Sequence, residues 1–166
     1  MKADFLVIVA VFLAVLVACR QDDPEVADEQ DLVGVATVVD GDTIEIHGER
    51  IRLSGIDAPE RGRECTDASG AIVRVYQTTS IALDRFIAGR SVRCARDGND
   101  GYGRVVARCR VGGTDIASWM VANGHAWDWP KYSKGRYAPE ESRARAAKAG
   151  LWSLECPNLL GDRTLK

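Results

Sequence analysis

From Val33 the chain runs through the β-branched stretch Val33-Gly34-Val35-Ala36-Thr37-Val38-Val39 and breaks at the turn-forming cluster Asp40-Gly41-Asp42. Polar and apolar residues alternate from Thr43 to Ile46, and after His47-Gly48-Glu49 a second strand pattern fills residues 50–56, which predicts a hairpin with a tight turn. Pro59 in Asp57-Ala58-Pro59-Glu60 has no N–H for a ladder and biases Ala58 away from helix, so the strand ends there. Residues 61–70 are polar and contain glycine, and read as a loop. Ile72, Val75, Tyr76, Thr79, Leu83, Phe86 and Ile87 recur at three- and four-residue spacing, one face of an amphipathic helix that Gly89 ends. Residues 91–96 and 104–111 are two further strands around a 97–103 loop. A short helix over 115–123 has Thr114 or Asp115 as its cap and Gly124 beyond its end; residues 127–137 are aromatic, basic and irregular. A last helix runs from about Pro139 to Ala149, with Gly150 as its stop. Strands do not alternate with helices, which disfavours a layered α/β fold. The pattern predicts an α+β fold, a five-stranded OB-type β-barrel with three α-helices.

The N-terminus carries a different signal. Lys2 precedes an unbroken apolar run from Phe5 to Ala18, too short for a membrane span of about 20 residues but suited to a signal-peptide core. It ends in Leu16-Val17-Ala18-Cys19, which resembles a bacterial lipobox, so Cys19 is the expected lipidation site and new first residue. The expected organisation is a lipoprotein-type signal peptide over 1–19, an acidic tether over 20–32, a single OB-fold domain over 33–156 and a tail over 157–166. Arg20 after the cysteine, where an aspartate would argue for retention, points to the outer membrane if the host has two membranes; without a lipid the protein would be secreted.

Charge follows the same division. The whole chain has a formal net charge of -2, yet residues 33–153 hold 18 Lys and Arg against 15 Asp and Glu. The acidic excess belongs to the tether, with Asp22, Asp23, Glu25, Asp28, Glu29 and Asp31, and the folded part is mildly basic, as a polyanionic partner requires. Beyond Cys19, four cysteines in an exported domain imply two disulfides. Zinc is disfavoured, because no CxxC pair occurs and histidine is almost absent. Cys94 and Cys109 lie on the two strands flanking the 97–103 loop; opposed there, they are expected to join, leaving Cys65 to pair with Cys156.

Two strand ends gather carboxylates: Asp40 and Asp42 at one, Asp57 and Glu60 at the other, with Arg52 between them and Arg104 opening a later strand. Phosphodiester cleavage needs such groups. Cations stabilise the charged transition state, and a carboxylate relieves the attacking water of a proton. The strings Asp40-Gly41-Asp42-Thr43-Ile44-Glu45-Ile46 and Arg52-Leu53-Ser54-Gly55-Ile56-Asp57-Ala58-Pro59-Glu60 resemble the signature of the thermonuclease (staphylococcal-nuclease-like) family. Asp100-Gly101-Tyr102-Gly103-Arg104 resembles its second motif, and the tail ending in Gly150-Leu151-Trp152-Ser153 is similar too. The resemblance implies calcium (Ca2+) as cofactor, with Asp42, Asp57 and the carbonyl of Ala58 as metal ligands and Asp40 supporting them from behind. It implies Glu60 as the base that activates water, Arg52 and Arg104 as the arginines that grip the scissile phosphate, and Tyr102 in the nucleotide pocket. It also implies a nucleic-acid substrate, DNA and/or RNA, cut to leave 3′-phosphate ends. Gly101 stands where the family has a basic residue, and the hairpin between Ile46 and Arg52 is shorter than in its best-known member.

The implied protein is a phosphodiester hydrolase, a monomer held at a membrane by its lipid. The alternative is a catalytically silent OB-fold module that binds nucleic acid or protein. Retention of Asp42, Asp57, Glu60, Arg52 and Arg104 together favours the enzyme. Removing either arginine is expected to cost rate more than folding. Trp127, Trp129, Lys131, Tyr132 and Lys134 are candidates for a base-stacking platform, with core packing an equal alternative. One point of geometry is open: Arg52 and Asp57 are five residues apart, so a regular strand would aim them at opposite faces, and Gly55 or the strand end must re-aim one.

Overall fold

A computed structural model describes residues 31–157. The apolar run, Cys19, the tether as far as residue 30 and the tail from 158 lie outside the described residues.

Five strands close into a mixed barrel. β1 (Leu32–Val38), β2 (Thr43–Ile46) and β3 (Glu49–Leu53) form an antiparallel meander. β1 also pairs with β7 (Ser91–Asn99), which pairs with β8 (Val105–Val111). Closure comes from β3 and β8, which run parallel with Arg52 beside Val106. Short β9 (Thr114–Asp115) adds to the outer edge of β8. Inward positions of these strands, including Ile44, Ile46, Ile51, Leu53, Val92 and Val111, are almost wholly removed from water. Each such side chain contributes about 1.5–3 kcal/mol by burial. Leu83 and Ile87 from α1 (Val75–Ile87) and Ile116 and Met120 from α2 (Ile116–Ala122) belong to the same core. Asp115 caps α2 by accepting the N–H of Ser118. A single turn, α3 (Pro130–Ser133), leads to α4 (Ala138–Ala146), which carries Pro139 in its first turn.

Several details depart from the sequence pattern. The amphipathic helix begins at Val75; Ile72 lies in a small hairpin of β5 (Cys65–Thr66) with β6 (Ile72–Val73) and is 68% exposed, so it shares the helical spacing without sharing the face. β7 continues through Asn99, past a bulge between Arg96 and Gly98, because the strand can twist there without losing its ladder. The stretch at 127–137 is ordered by tertiary pairing: β10 (Trp127–Asp128) pairs with β4 (Ile56–Asp57), setting Trp127 opposite Asp57.

Cys94 and Cys109 stand opposite one another in the β7–β8 ladder and are disulfide-bonded. Cys65 is bonded to Cys156 and fastens the loop after Glu60 to the end of the domain. Around that second bond a smaller core forms from Cys65, Val75, Trp127 and Leu151. Trp127 is therefore a packing residue and cannot stack on a base.

Candidate active site

The turn between β1 and β2 is built to aim Asp42 inward. The N–H groups of Val39 and Asp40 donate to the carbonyl of Thr43, Asp40 Oδ1 accepts the N–H of Asp42 at 3.1 Å, and the N–H of Leu53 donates to the carbonyl of Asp42 at 2.8 Å. Gly41 is required by space: a Cβ there would stand 2.8 Å from both Ala58 Cβ and Thr79 Oγ1. The turn thus lies tight against the β4 strand end and against α1.

Arg52 reaches this turn from β3. Its Nη1 donates to Asp42 Oδ1 at 2.6 Å and its Nη2 to Asp57 Oδ1 at 2.9 Å. The five-residue problem is solved by the end of β3. The strand stops at Leu53, Gly55 adopts a φ of 80°, and the chain doubles back so that Asp57 faces Arg52 again. Left-handed backbone is easily reached only by glycine. Asp42 Oδ2 accepts the N–H of Ala58 at 3.0 Å, and Thr43 Oγ1 donates to Oδ1 at 3.1 Å. The structure therefore brings Asp40, Asp42, Arg52, Asp57 and Ala58 into one cluster.

The cluster is buried and unbalanced in charge. Asp42 and Asp57 are 4% and 5% exposed. Burial pushes Asp42 up to about 7, against the attraction of Arg52 and with the help of Asp40 and Asp57. Arg52 is held above its ordinary value; burial opposes this, but Asp42 and Asp57 outweigh it. Three carboxylates around one guanidinium leave a surplus of negative charge that a divalent cation would neutralise. The donors are all oxygens, as a hard cation requires, and Asp57 Oδ2 carries no hydrogen bond among the described residues. The donor set fits calcium. Two carboxylates and a carbonyl would need water or substrate oxygens to complete the shell, because among the described residues no group of three or more His, Cys, Asp or Glu is placed to hold a metal.

Glu60 follows Pro59 and is exposed, its carbonyl accepting the N–H of Arg63 at 3.1 Å. Arg104 stands just before β8, on the hairpin loop. Asp100 holds it from four residues back, accepting Nε at 2.7 Å and the backbone N–H at 3.0 Å. Burial pushes Asp100 upward, but the hydrogen bonds from Arg104 and from the Tyr102 N–H together outweigh it and hold the carboxyl below the usual carboxylate range. The Arg104 guanidinium lies 5.6 Å from the ring of Tyr102, which is 88% exposed. Val106, two residues after Arg104 and on the same outward face of β8, is the parallel partner of Arg52. Arg104 and Tyr102 therefore stand on the rim beside the cluster, and no hydrogen bond joins them to it.

Residues 50–154 match the family model described as staphylococcal nuclease homologue. The chain belongs to this family. Among its relatives, the succinoglycan biosynthesis protein ExoI of Rhizobium meliloti (strain 1021) is 42% identical over 125 residues, covering 74% of this chain and 65% of that protein. The probable staphylococcal-like nuclease CAN4 of Oryza sativa subsp. japonica is 37% identical over 106 residues, 63% of this chain and 19% of the rice protein. An uncharacterized endonuclease of Haemophilus influenzae is 30% identical over 131 residues, 75% of this chain and 68% of that protein. The chain thus spans less than two thirds of the first two relatives' lengths.

Two members of this nuclease-family site were given no role in it by the sequence. Trp129 lies with its ring 5.6 Å from the Arg52 guanidinium, and its N–H donates to the carbonyl of Gly55 at 2.9 Å, so one residue braces both the arginine and the turn that re-aims Asp57. Its ring meets Tyr132 edge-on, and Tyr132 is 53% exposed. Thr43 is the second, through its bond to Asp42. The aromatic richness of 127–137 was the available hint for Trp129; Thr43 lies inside the first signature string, where no role was assigned to it.

Proposed function

We propose that this chain is a calcium-dependent nuclease that hydrolyses phosphodiester bonds of DNA and/or RNA, leaving 3′-phosphate ends. The observation that carries the reading is the buried Asp42–Arg52–Asp57 cluster, in which two carboxylates share one guanidinium and leave negative charge in surplus. Asp42, Asp57 and the carbonyl of Ala58 would hold calcium, which when bound supplies positive charge to the phosphate oxygens. Arg104 offers the phosphate its Nη groups, and Arg52 offers the same phosphate the positive charge and the N–H groups that its carboxylates leave over; their effect is largest where charge grows in the transition state. Exposed Glu60 takes a proton from the water that attacks phosphorus as the bond to the 5′ oxygen breaks. Tyr102 offers an open ring face to the nucleotide.

Export and lipidation at Cys19, with the folded domain held from the membrane by the acidic tether, complete the reading. Two disulfides support an oxidising compartment. Incubating the protein with single- and double-stranded DNA and RNA, in calcium, magnesium or excess chelator, tests the activity. Cleavage in calcium that disappears in chelator is expected; equal rates in magnesium or full activity in chelator would sink it. Fractionation of cells making the wild type and Cys19→Ser tests location, with only the wild type expected in the membrane.

A further inference from the structure

The outward face of β8 carries arginine in a line. Inward residues Val105, Ala107, Cys109 and Val111 are buried, while Arg108 and Arg110 are exposed on the face that Arg104 begins. At about 3.3 Å per residue the line from Arg104 to Arg110 is about 20 Å long. It ends in a cleft of about 340 Å³ lined by Arg93, Arg108, Arg110 and Arg136, by Ala95, and by the carboxylates Asp31 and Asp115.

Three features of this cleft are costly unless an anion uses it. Arg93 and Arg110 are direct partners across the β7–β8 ladder, and like charges directly opposite repel. The adjacent pair, Cys94 and Cys109, is covalently bonded, so the disulfide holds the two arginines together in that register. Arg93 Nη1 is buried and lacks a hydrogen-bond partner; its contact with Asp31 is 3.6 Å, longer than a hydrogen bond. The Arg110 side chain makes no hydrogen bond or ion pair among the described residues, although Asp115 is its partner on β9. Asp115 is committed elsewhere, accepting the N–H of Ser118 and the hydroxyl of Tyr137. Arg108 is held by Asp97 and keeps its head on the outward face.

We propose that the Arg93–Arg110–Arg136 cleft is a second phosphate site for the same nucleic-acid strand, reached from the cleavage centre along the outward face of β8. The inference rests on the nuclease reading. A stacked strand presents a phosphate about every 3.4 Å, so 20 Å corresponds to about six nucleotides, within the roughly 4–16 that an OB fold covers. Ala95 lets a phosphate approach the floor between the arginines. The site would select strands long enough to reach it and add nothing for a dinucleotide.

The test compares the full-length wild type with Arg110→Ala, Arg110→Lys and the double variant Arg110→Ala/Arg136→Ala. Anisotropy in excess chelator measures affinity for a fluorescent single-stranded 12-mer of about twice the track length, and turnover in calcium is measured on that 12-mer and on a dinucleotide. The alanine variants should weaken 12-mer binding about tenfold and reduce the salt slope by about 0.7 per arginine removed. Dinucleotide kcat/KM should be unchanged, and Arg110→Lys should restore the salt slope. Unchanged 12-mer affinity, or an equal loss on both substrates, overturns the proposal. Loss of binding to phosphatidylglycerol vesicles with 12-mer binding intact assigns the cleft to a lipid surface and also overturns it. If no variant cleaves in calcium but the salt slope still falls, the second site stands and the nuclease reading fails.

Discussion

Arg52 and Arg104 stand beside the same phosphate position in the proposed reaction, yet the fold treats them as different kinds of residue. Arg52 is 14% exposed and joined to two buried carboxylates that come from separate turns. Arg104 is 33% exposed and held by one carboxylate of its own loop. The first is a keystone between two buried carboxylates, and the second is a rim residue whose single partner is half-buried on the same loop. The expectation that each serves rate more than folding is therefore kept for Arg104, while the buried pairing of Arg52 predicts a cost in folding as well. Removing Arg52 also leaves Asp42 and Asp57 buried without their cation.

The largest contrast should come from Arg52→Ala. Turnover should fall by at least about 10²-fold, and stability should fall by about 3–5 kcal/mol, the usual cost of breaking one side of a buried pair. Single-turnover kinetics and thermal melting in chelator would measure both. An unchanged melting temperature would erase the distinction between the two arginines. Next is Arg104→Ala, for which a similar loss of turnover should accompany a stability change of only about 0–1 kcal/mol, typical of a solvated pair. Unfolding of that variant would place Arg104 in the frame of the barrel.

Calcium should sharpen the comparison further. At a concentration a hundredfold above its Kd it should stabilise wild type and Arg104→Ala alike by about 2.7 kcal/mol, while Asp42→Asn should abolish the gain. Equal stabilisation of Asp42→Asn would move the ion elsewhere. The smallest effect concerns pH. Asp42 titrates near 3.8 in an unfolded chain and holds its proton to about 7 when folded. Its contribution to metal-free stability is fully present below 3.8 and is lost as pH rises through 7. Melting curves in chelator between pH 5 and 8 should show this decline, and Asp42→Asn should flatten it.

The five barrel strands and three longer helices were legible because local pattern and final burial agree: Thr43 to Ile46 alternates and its apolar members are buried. The motif residues around Asp42 and Asp57 were legible as a set, but their convergence was not. It depends on Gly55 at positive φ and on Trp129 contacting Gly55 from more than seventy residues away. The pairing of β4 with β10 is equally hidden, because two-residue strands have no period to read. Cys94 and Cys109 could be matched because a hairpin opposes them, whereas the burial of Trp127 emerges only with the Cys65–Cys156 bond and the smaller core around it. Ile72 shows the reverse error, since a residue can fit a helical spacing by chance in a strand.

The parallel seam between β3 and β8 also orders events in time. Arg52 and Val106 lie more than fifty residues apart in sequence, so their pairing must wait for a long loop to close, one of the slower steps in assembling a chain. The local hairpin of β2 with β3 can form before it. The turn that offers Asp42 is thus available early, while Arg104 reaches the rim only when the seam zips. A nascent or partly unfolded chain would then hold Asp42 in its turn without the second arginine, and recovery of turnover during refolding should lag behind recovery of the β2–β3 hairpin.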